Sequence, residues 1–180
     1  MKFKETKYRL MNVADGREFD DSGWTLTDPE SASPSLIRAV YENRQFNPRE
    51  DLDGIYRYAD WMPVKRILKH SCAPVTYKSK GLASFLGLEN LYITFSGWKP
   101  KIGAKMRTGS FKETEAYSIL ARMEAHERRI LVVQSAGNTA RAFAQVCSDN
   151  RIPIVICVPQ DNLHDLWFRK PLRKCVKLVA

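Results

Sequence analysis

Residues 129–158 read RILVVQSAGNTARAFAQVCSDNRIPIVICV and indicate the fold class. Two apolar, β-branched runs, 129–133 and 154–158, have the composition of buried strands. A small polar turn at 134–139 and a helix over about 140–147 separate them. Strands that alternate with helices predict an α/β fold with an open parallel sheet and flanking helices, in which ligands bind at the carboxyl ends of the strands.

The alternation extends to both sides of this stretch. Ser110-x-x-Glu113 is a capping-box pattern and predicts a helix that runs to about Glu127. The apolar face of that helix holds Tyr117, Leu120 and Ala121. Similar patterns predict a helix at 81–86 closed by Gly87, strands at 91–95 and 176–180, and a helix at 163–169.

The first 58 residues predict a different organisation. In residues 1–35, short stretches of alternating residue character lie between glycine turns, which predicts a small β-hairpin module. Asn12-x-x-Asp15 and Asp28-x-x-Ser31 have the spacing of zinc-ribbon knuckles without their cysteines, so we predict no metal there. A plain hairpin with turn residues is the other interpretation. Residues 36–58 predict a linker of helix and loop, and residues 59–180 the α/β portion.

Composition limits the class of protein. The 180 residues carry a formal net charge of +9, with −3 in residues 1–60 and +12 in residues 61–180, which favours anionic partners. No helix-turn-helix or RNP-like motif accompanies the charge, so we expect no nucleic-acid partner. The four cysteines form no CxxC pair and the three histidines lie in different segments, which disfavours disulfides and metal binding. Without an apolar run of membrane length or a secretory leader, the sequence predicts no membrane partner and a cytoplasmic location.

Two segments carry candidate chemistry. Ser135 to Thr139 joins a predicted strand to a helix start, where backbone N–H groups and the positive helix end bind a carboxylate or phosphate. In the segment Thr108 to Glu113, Lys112 stands in the first turn of a helix, where its ammonium is electrostatically disfavoured. Such an environment suits a nucleophilic or Schiff-base amine. A capped turn and a solvated lysine are the alternative interpretations.

With these segments the sequence resembles the fold-type II pyridoxal-phosphate enzymes, which have the tryptophan synthase β-like fold. Within them it resembles the threonine synthase branch and, most closely, the cysteate synthase family. The stretch Gly109-Ser110-Phe111-Lys112-Glu113 is similar to the branch's G-S-F-K-D/E motif, and Ser135-Ala136-Gly137-Asn138-Thr139-Ala140 to its S-x-G-N-x-A motif. Asn90-Leu91-Tyr92 looks like the strand before the lysine loop. The N-terminal module resembles the zinc-ribbon-like leader of some members, with the ligand positions lost.

The resemblance implies pyridoxal 5'-phosphate as cofactor and gives individual residues their roles. Lys112 would form the internal aldimine and then move the substrate α-proton, while Asn138 would hydrogen-bond the ring hydroxyl of the cofactor. The loop after the strand would hold the substrate carboxylate. Its contributing residues are Ser135, Thr139 and the backbone of Ala136, Gly137 and Asn138.

The basic loop at 96–109 bears on the choice of reaction. Lys105 and Arg107 precede the reactive lysine and would neutralise a small anionic amino-acid substrate. The cysteate synthase resemblance implies β-replacement, in which O-phosphoserine loses phosphate to give an aminoacrylate and sulfite then adds to form cysteate. Threonine synthase, with O-phosphohomoserine and water, is the alternative reaction. A solvated charged loop is the interpretation without function.

Two departures from the family pattern bear on activity. Ala136 stands where other members often carry a hydroxyl residue. Nothing in residues 160–180 resembles the family's glycine-rich loop for the cofactor phosphate, and complete members are longer. We therefore expect the N-terminal portion of a synthase or lyase of amino-acid and coenzyme M biosynthesis, homodimeric at full length and inactive as this chain alone. A non-catalytic relative that serves as a binding module is the second hypothesis.

Overall fold

The computed structural model describes residues 3–23, 25–124 and 129–180. It has the predicted α/β character, with both parallel and antiparallel sheets. The chain forms two compact units, one of residues 1–68 with 118–128 and the other of residues 69–117 with 129–180. The module boundaries expected at residues 35 and 58 stay predictions. Within the described ranges, no helix combines the length and apolarity that crossing a bilayer requires.

The first unit contains a three-stranded antiparallel sheet. Its central strand, β1 (Tyr8–Asn12), pairs with β2 (Glu18–Phe19) on one side and with β3 (Ile37–Tyr41) on the other. The β1–β2 hairpin agrees with the predicted β module. β3 corrects part of the linker prediction, because IRAVY pairs along all of β1 and strand pairing of this kind outweighs local charge patterns. The helical part of the linker is a 3₁₀ helix at Gly54–Trp61.

Asn12 and Asp28, the first residues of the two knuckle-like spacings, meet in this unit. Asn12 Nδ2 donates to Asp28 Oδ2 at 2.9 Å, and both side chains are buried. Each side chain also accepts the backbone N–H two residues on, from Ala14 at 2.9 Å and from Glu30 at 3.0 Å. Arg17 adds an ion pair to Asp28. Hydrogen bonds therefore join the two turns, and the described residues include no cluster of His, Cys, Asp and Glu that could hold a metal ion.

The second unit begins with an antiparallel strand pair. β4 (Val75–Lys78) pairs with β5 (Tyr92–Phe95), and the connection between them contains the short helix α1 (Gly81–Leu86). Gly87 ends α1 in the left-handed region at φ 66°, where glycine avoids the Cβ strain of other residues. Both the helix and its glycine stop agree with the sequence prediction.

The region of the lysine motif contains more regular structure than the sequence predicts. β6 (Trp98–Lys99) and β7 (Ala104–Lys105) pair across a 3₁₀ turn at Pro100–Ile102, so part of the predicted basic loop is a hairpin. The helix α2 (Lys112–Arg122) follows, and its predicted end near Glu127 lies outside the described residues. The predicted apolar face of α2 is buried at Tyr117, Leu120 and Ala121.

The predicted parallel sheet is present as three strands, β8 (Leu131–Gln134), β9 (Ile154–Cys157) and β10 (Val176–Val179). β9 is central and pairs in parallel with both neighbours. The helix α3 (Asn138–Asn150) connects β8 to β9 and contacts all three strands. Because the turn before α3 follows β8, it lies at the carboxyl end of that strand, where α/β sheets bind ligands.

The segment between β9 and β10 corrects one predicted helix. The chain forms a 3₁₀ helix at Gln160–Asp165, and no helix continues to residue 169. Trp167 instead packs against Arg141, whose guanidinium carbon lies 3.5 Å from the centre of the Trp167 ring. The guanidinium carbon of Arg169 lies 4.4 Å from the centre of the Trp98 ring. These tertiary contacts outweigh the local helical propensity, which is a weak preference.

Candidate functional site

Lys112 is the first residue of α2, as the sequence predicts. Its backbone N–H donates to Ser110 Oγ at 3.2 Å. Its Nζ lies 2.7 Å from Glu115 Oε2, and the side chain is 37% exposed. The amine is therefore accessible, but it is turned along its own helix and paired. Glu115 was not among the predicted site residues, although its i,i+3 spacing from Lys112 is the pattern that predicts such a pair.

Glu113 does not close the predicted capping box. Its Oε1 accepts the backbone N–H and, at 2.8 Å, the hydroxyl of Thr108, so it holds the turn that leads to Lys112. Gly109, at φ 69°, lets the chain turn between Thr108 and the helix. The second carboxylate oxygen accepts the Cys72 thiol at 3.2 Å. Burial and the neighbouring carboxylate raise the pKa of the Cys72 thiol, which therefore stays protonated and donates.

The turn from β8 to α3 contains the second motif. Ser135 donates its N–H to the Cys157 carbonyl at 3.1 Å, which continues the pairing with β9, and its Oγ accepts the Gly137 N–H at 3.3 Å. α3 begins at Asn138, earlier than predicted, and its first backbone bond runs from the Arg141 N–H to the Gly137 carbonyl at 3.1 Å. The N–H groups of residues 138–140 precede that bond and point out of the helix start, where an anion is favoured.

Arg141 connects the two motifs. Its Nη1 donates to Asn138 Oδ1 at 3.1 Å, and its Nη2 donates to the Thr108 carbonyl. Its Nε donates to the Trp167 carbonyl at 3.3 Å, and its guanidinium stacks on the Trp167 ring. The residue is 6% exposed, and burial lowers the pKa of its guanidinium while the nearby Glu113 opposes that effect. One buried cation therefore brings the turn before Lys112 and the start of α3 together.

Arg141 was not among the site residues predicted from the sequence. An arginine within the small and apolar stretch TARAFAQV of an internal helix is unusual, since a guanidinium is almost never buried unless it is paired. Its position three residues after Asn138 places both side chains on one face of α3. That spacing was the available signal.

The structure does not bring Arg107 to the start of α3. Its Nη1 lies 2.6 Å from Asp149 Oδ2, and Asp149 also accepts Gln145 Nε2 at 3.0 Å. Asp149 lies eleven residues after Asn138, which is roughly 16 Å along the axis of α3. Lys105 is exposed on β7, where its residue pairs with Trp98. Arg107 is thus engaged within the protein, whereas the Lys105 side chain is accessible.

Comparison with known proteins identifies relatives of this chain. Eight curated relatives, 40–50% identical over 73–92% of this chain, are named cysteate synthase. The protein of Methanocella paludicola is 50% identical over 147 residues, and that of Methanospirillum hungatei is 42% identical over 166 residues. These alignments cover 81% and 92% of this chain but 34% and 39% of the relatives, so the chain spans just over a third of their length. No family model and no solved structure matches the chain.

Proposed function

Because the chain is a relative of the cysteate synthases, we propose that the whole protein forms cysteate from O-phosphoserine and sulfite, with pyridoxal phosphate as cofactor. The observation that carries this proposal is the link through Arg141, which joins the turn before Lys112 to Asn138. An accessible amine that follows this turn, together with an amide at the carboxyl end of β8, suits a cofactor with an aldehyde and a ring hydroxyl. Homodimerisation and a cytoplasmic location belong to the same proposal.

The residues of the chain fit part of this cofactor. The accessible amine of Lys112 suits its aldehyde, and the amide of Asn138 suits its ring hydroxyl. The cofactor phosphate has no matching loop, because the sequence contains no glycine after Gly137. We therefore propose that the 180-residue chain captures the cofactor weakly and is inactive alone. Pyridoxal phosphate, when bound, supplies the electron sink that allows the substrate Cα–H bond to break.

Lys112 has two tasks in this proposal, attachment of the cofactor and movement of the substrate α-proton. Its amine first has to leave the ion pair with Glu115, which lies 2.7 Å away. Once it has left the pair, the amine can give its proton to solvent and act as the nucleophile that attachment requires. Later the freed amine takes the α-proton from the substrate and returns it to the product.

The start of α3 holds the substrate carboxylate in this proposal. The N–H groups of Asn138 and Thr139 precede the first helical hydrogen bond and favour an anion. The Ser135 hydroxyl accepts from Gly137, so its own proton is available to donate to a carboxylate oxygen. Ala136 contributes through the backbone, since its side chain has no donor.

The reaction handles two anions in succession. The bond between Cβ and the phosphate oxygen breaks, phosphate leaves, and the sulfite lone pair forms the new carbon–sulfur bond. Lys105 is exposed and suits either anion, whereas Arg107 would first have to leave Asp149. The names of the relatives favour sulfite over water as the nucleophile.

Product analysis of the native gene product tests the proposal. With pyridoxal phosphate and O-phosphoserine, we expect sulfite-dependent release of phosphate together with cysteate, and we expect Lys112→Ala to form neither. O-phosphohomoserine with water alone should give no threonine. Threonine formation would favour the threonine synthase reaction. Turnover of neither substrate by the folded native protein would favour the second hypothesis, a binding module.

A further inference from the structure

We infer that Arg141 is a positioning residue that fixes the Asn138 amide with its Nδ2 donor available to the ligand. The inference deepens the proposed function and rests on it, since it concerns how the same site recognises the cofactor. The contact that carries it is the hydrogen bond from Arg141 Nη1 to Asn138 Oδ1 at 3.1 Å. Asn138 itself is exposed at the start of α3.

The chemistry of the guanidinium decides the orientation of the amide. An arginine has five N–H donors and no acceptor, so the atom of Asn138 that faces it is the carbonyl oxygen. The NH₂ group of Asn138 then remains for another partner. An exposed asparagine without this contact could present either its donor or its acceptor. With the contact, the start of α3 offers donors to a ligand and selects an electron-rich oxygen, such as an ionised ring hydroxyl.

Arg141 is held in place independently of Asn138. Its Nε donates to the Trp167 carbonyl at 3.3 Å, and its guanidinium carbon lies 3.5 Å from the Trp167 ring centre. Its Nη2 donates to Thr108, whose N–H and hydroxyl are both bound by Glu113. Because these partners fix the buried guanidinium, the exposed amide follows the arginine.

Two readouts test the inference on the full chain. The first is the side-chain NH₂ signal of Asn138 in a ¹⁵N-labelled sample, assigned by its loss in Asn138→Asp. The second is the fraction of chain whose Lys112 carries the cofactor after incubation with pyridoxal phosphate and reduction with borohydride. We expect the two side-chain amide protons of Asn138 to exchange faster with each other in Arg141→Met. We also expect the fraction of chain that carries trapped cofactor to fall about tenfold, because one good hydrogen bond is lost. Arg141→Lys should lie between Arg141→Met and the wild type.

A pH profile separates positioning from a general structural role. The Asn138 donor stabilises negative charge on the ring oxygen, so its loss should raise the pH midpoint of the visible band of the bound cofactor. We expect an upward shift in Arg141→Met and a larger one in Asn138→Asp, because the aspartate offers no donor and adds a negative charge beside the ring oxygen. Glu113→Gln, which loosens Thr108 and the turn before Lys112 but leaves the Arg141 bonds to Asn138 and Trp167, should reduce trapping and move the midpoint less than Arg141→Met does.

The other possible results distinguish failure of the inference about Arg141 from failure of the cofactor assignment. An ordered Asn138 amide and an unchanged midpoint in folded Arg141→Met would overturn the inference, and cofactor chemistry at Lys112 could still stand. If the wild type traps no cofactor at Lys112 although its Asn138 amide depends on Arg141, the cofactor assignment fails and the positioning role is supported. If Arg141→Met does not fold, Arg141→Lys decides, and an ordered Asn138 amide with an unchanged midpoint in that folded variant overturns the inference.

Discussion

The buried carboxylate of Glu113 accepts both the backbone N–H and the hydroxyl of Thr108, five residues earlier in the chain. This relationship fixes the turn from which Lys112 projects. We predict that Glu113→Gln lowers the free energy of unfolding by about 1–3 kcal/mol, because an amide cannot replace both acceptor oxygens towards Thr108 and the Cys72 thiol. Urea unfolding of the chain measures the effect. Equal stability of Glu113→Gln and wild type would contradict the prediction.

Glu115→Gln removes the carboxylate that pairs with Lys112 and is the matched comparison for Glu113→Gln. The Lys112–Glu115 pair is partly exposed, so its removal should change the free energy of unfolding by no more than about 0.5 kcal/mol. The freed amine should react a few times faster with pyridoxal phosphate, measured as the initial rate of borohydride-trapped product at Lys112. Glu124→Gln removes the partner of Lys65 and is the control, since it should leave that rate unchanged. An unchanged rate in Glu115→Gln would show that the ion pair does not restrain Lys112.

Acid should weaken the network around Asp28. Hydrogen bonds from Arg17 and then Asn12 lower the pKa of Asp28 from 3.8 to about 2. Because the folded state favours the carboxylate, its contribution to stability is present above pH 3.8 and is lost as the pH falls towards 2. Asp28→Asn should therefore unfold with a flatter pH dependence than wild type in this window.

Asp21 is a second aspartate that becomes protonated at low pH, in the wild type and in Asp28→Asn alike. Burial of Asp21 opposes ionisation, but hydrogen bonds from Tyr8 and Arg122 lower the pKa of Asp21 overall. Since Asp21 is unchanged, its contribution cancels in the difference between the two stability curves. Parallel curves for wild type and Asp28→Asn would contradict the prediction for Asp28.

The two faces of the parallel sheet should respond differently to truncation. Ile156, on the central strand β9, is 0% exposed, whereas Val132 on β8 is 60% exposed. Ile156→Ala should lower the free energy of unfolding by about 2–5 kcal/mol through lost burial and a cavity. Val132→Ala should change it by about 0.5 kcal/mol or less. Similar losses in the two variants, measured by urea unfolding, would mean that the exposed face is covered in solution.

The sequence predicts those elements of the fold whose signals lie within their own residues. The apolar runs 129–133 and 154–158 become β8 and β9, and Gly87 ends α1 as expected. The strand β3 was missed because IRAVY depends on pairing with β1, a partner about 30 residues away that no local pattern identifies. The helix expected at 163–169 was wrong because Trp167 packs under Arg141.

In the candidate site, too, local signals predict some features, whereas contacts between distant residues determine others. The position of Lys112 in the first turn of α2 and the turn between β8 and α3 follow from capping and turn signals, although α3 begins at Asn138 and not near residue 140. The predicted resemblance to cysteate synthases is confirmed by the relatives. Arg141 could not be connected to its partners from sequence, because Thr108 and Trp167 lie 33 and 26 residues away. The capping box at Ser110 was an incomplete guide, since Glu113 binds Thr108 instead.

Trapping of pyridoxal phosphate on Lys112 is the most direct test of the proposed cofactor site. The native protein is incubated with the cofactor and reduced with borohydride, and the labelled peptides are mapped, with Lys112→Arg as the matched variant. We predict a label concentrated on Lys112 and a visible absorption band that is lost in Lys112→Arg. A label on Lys112 no greater than on an exposed lysine such as Lys105, with the same band in both proteins, would contradict it.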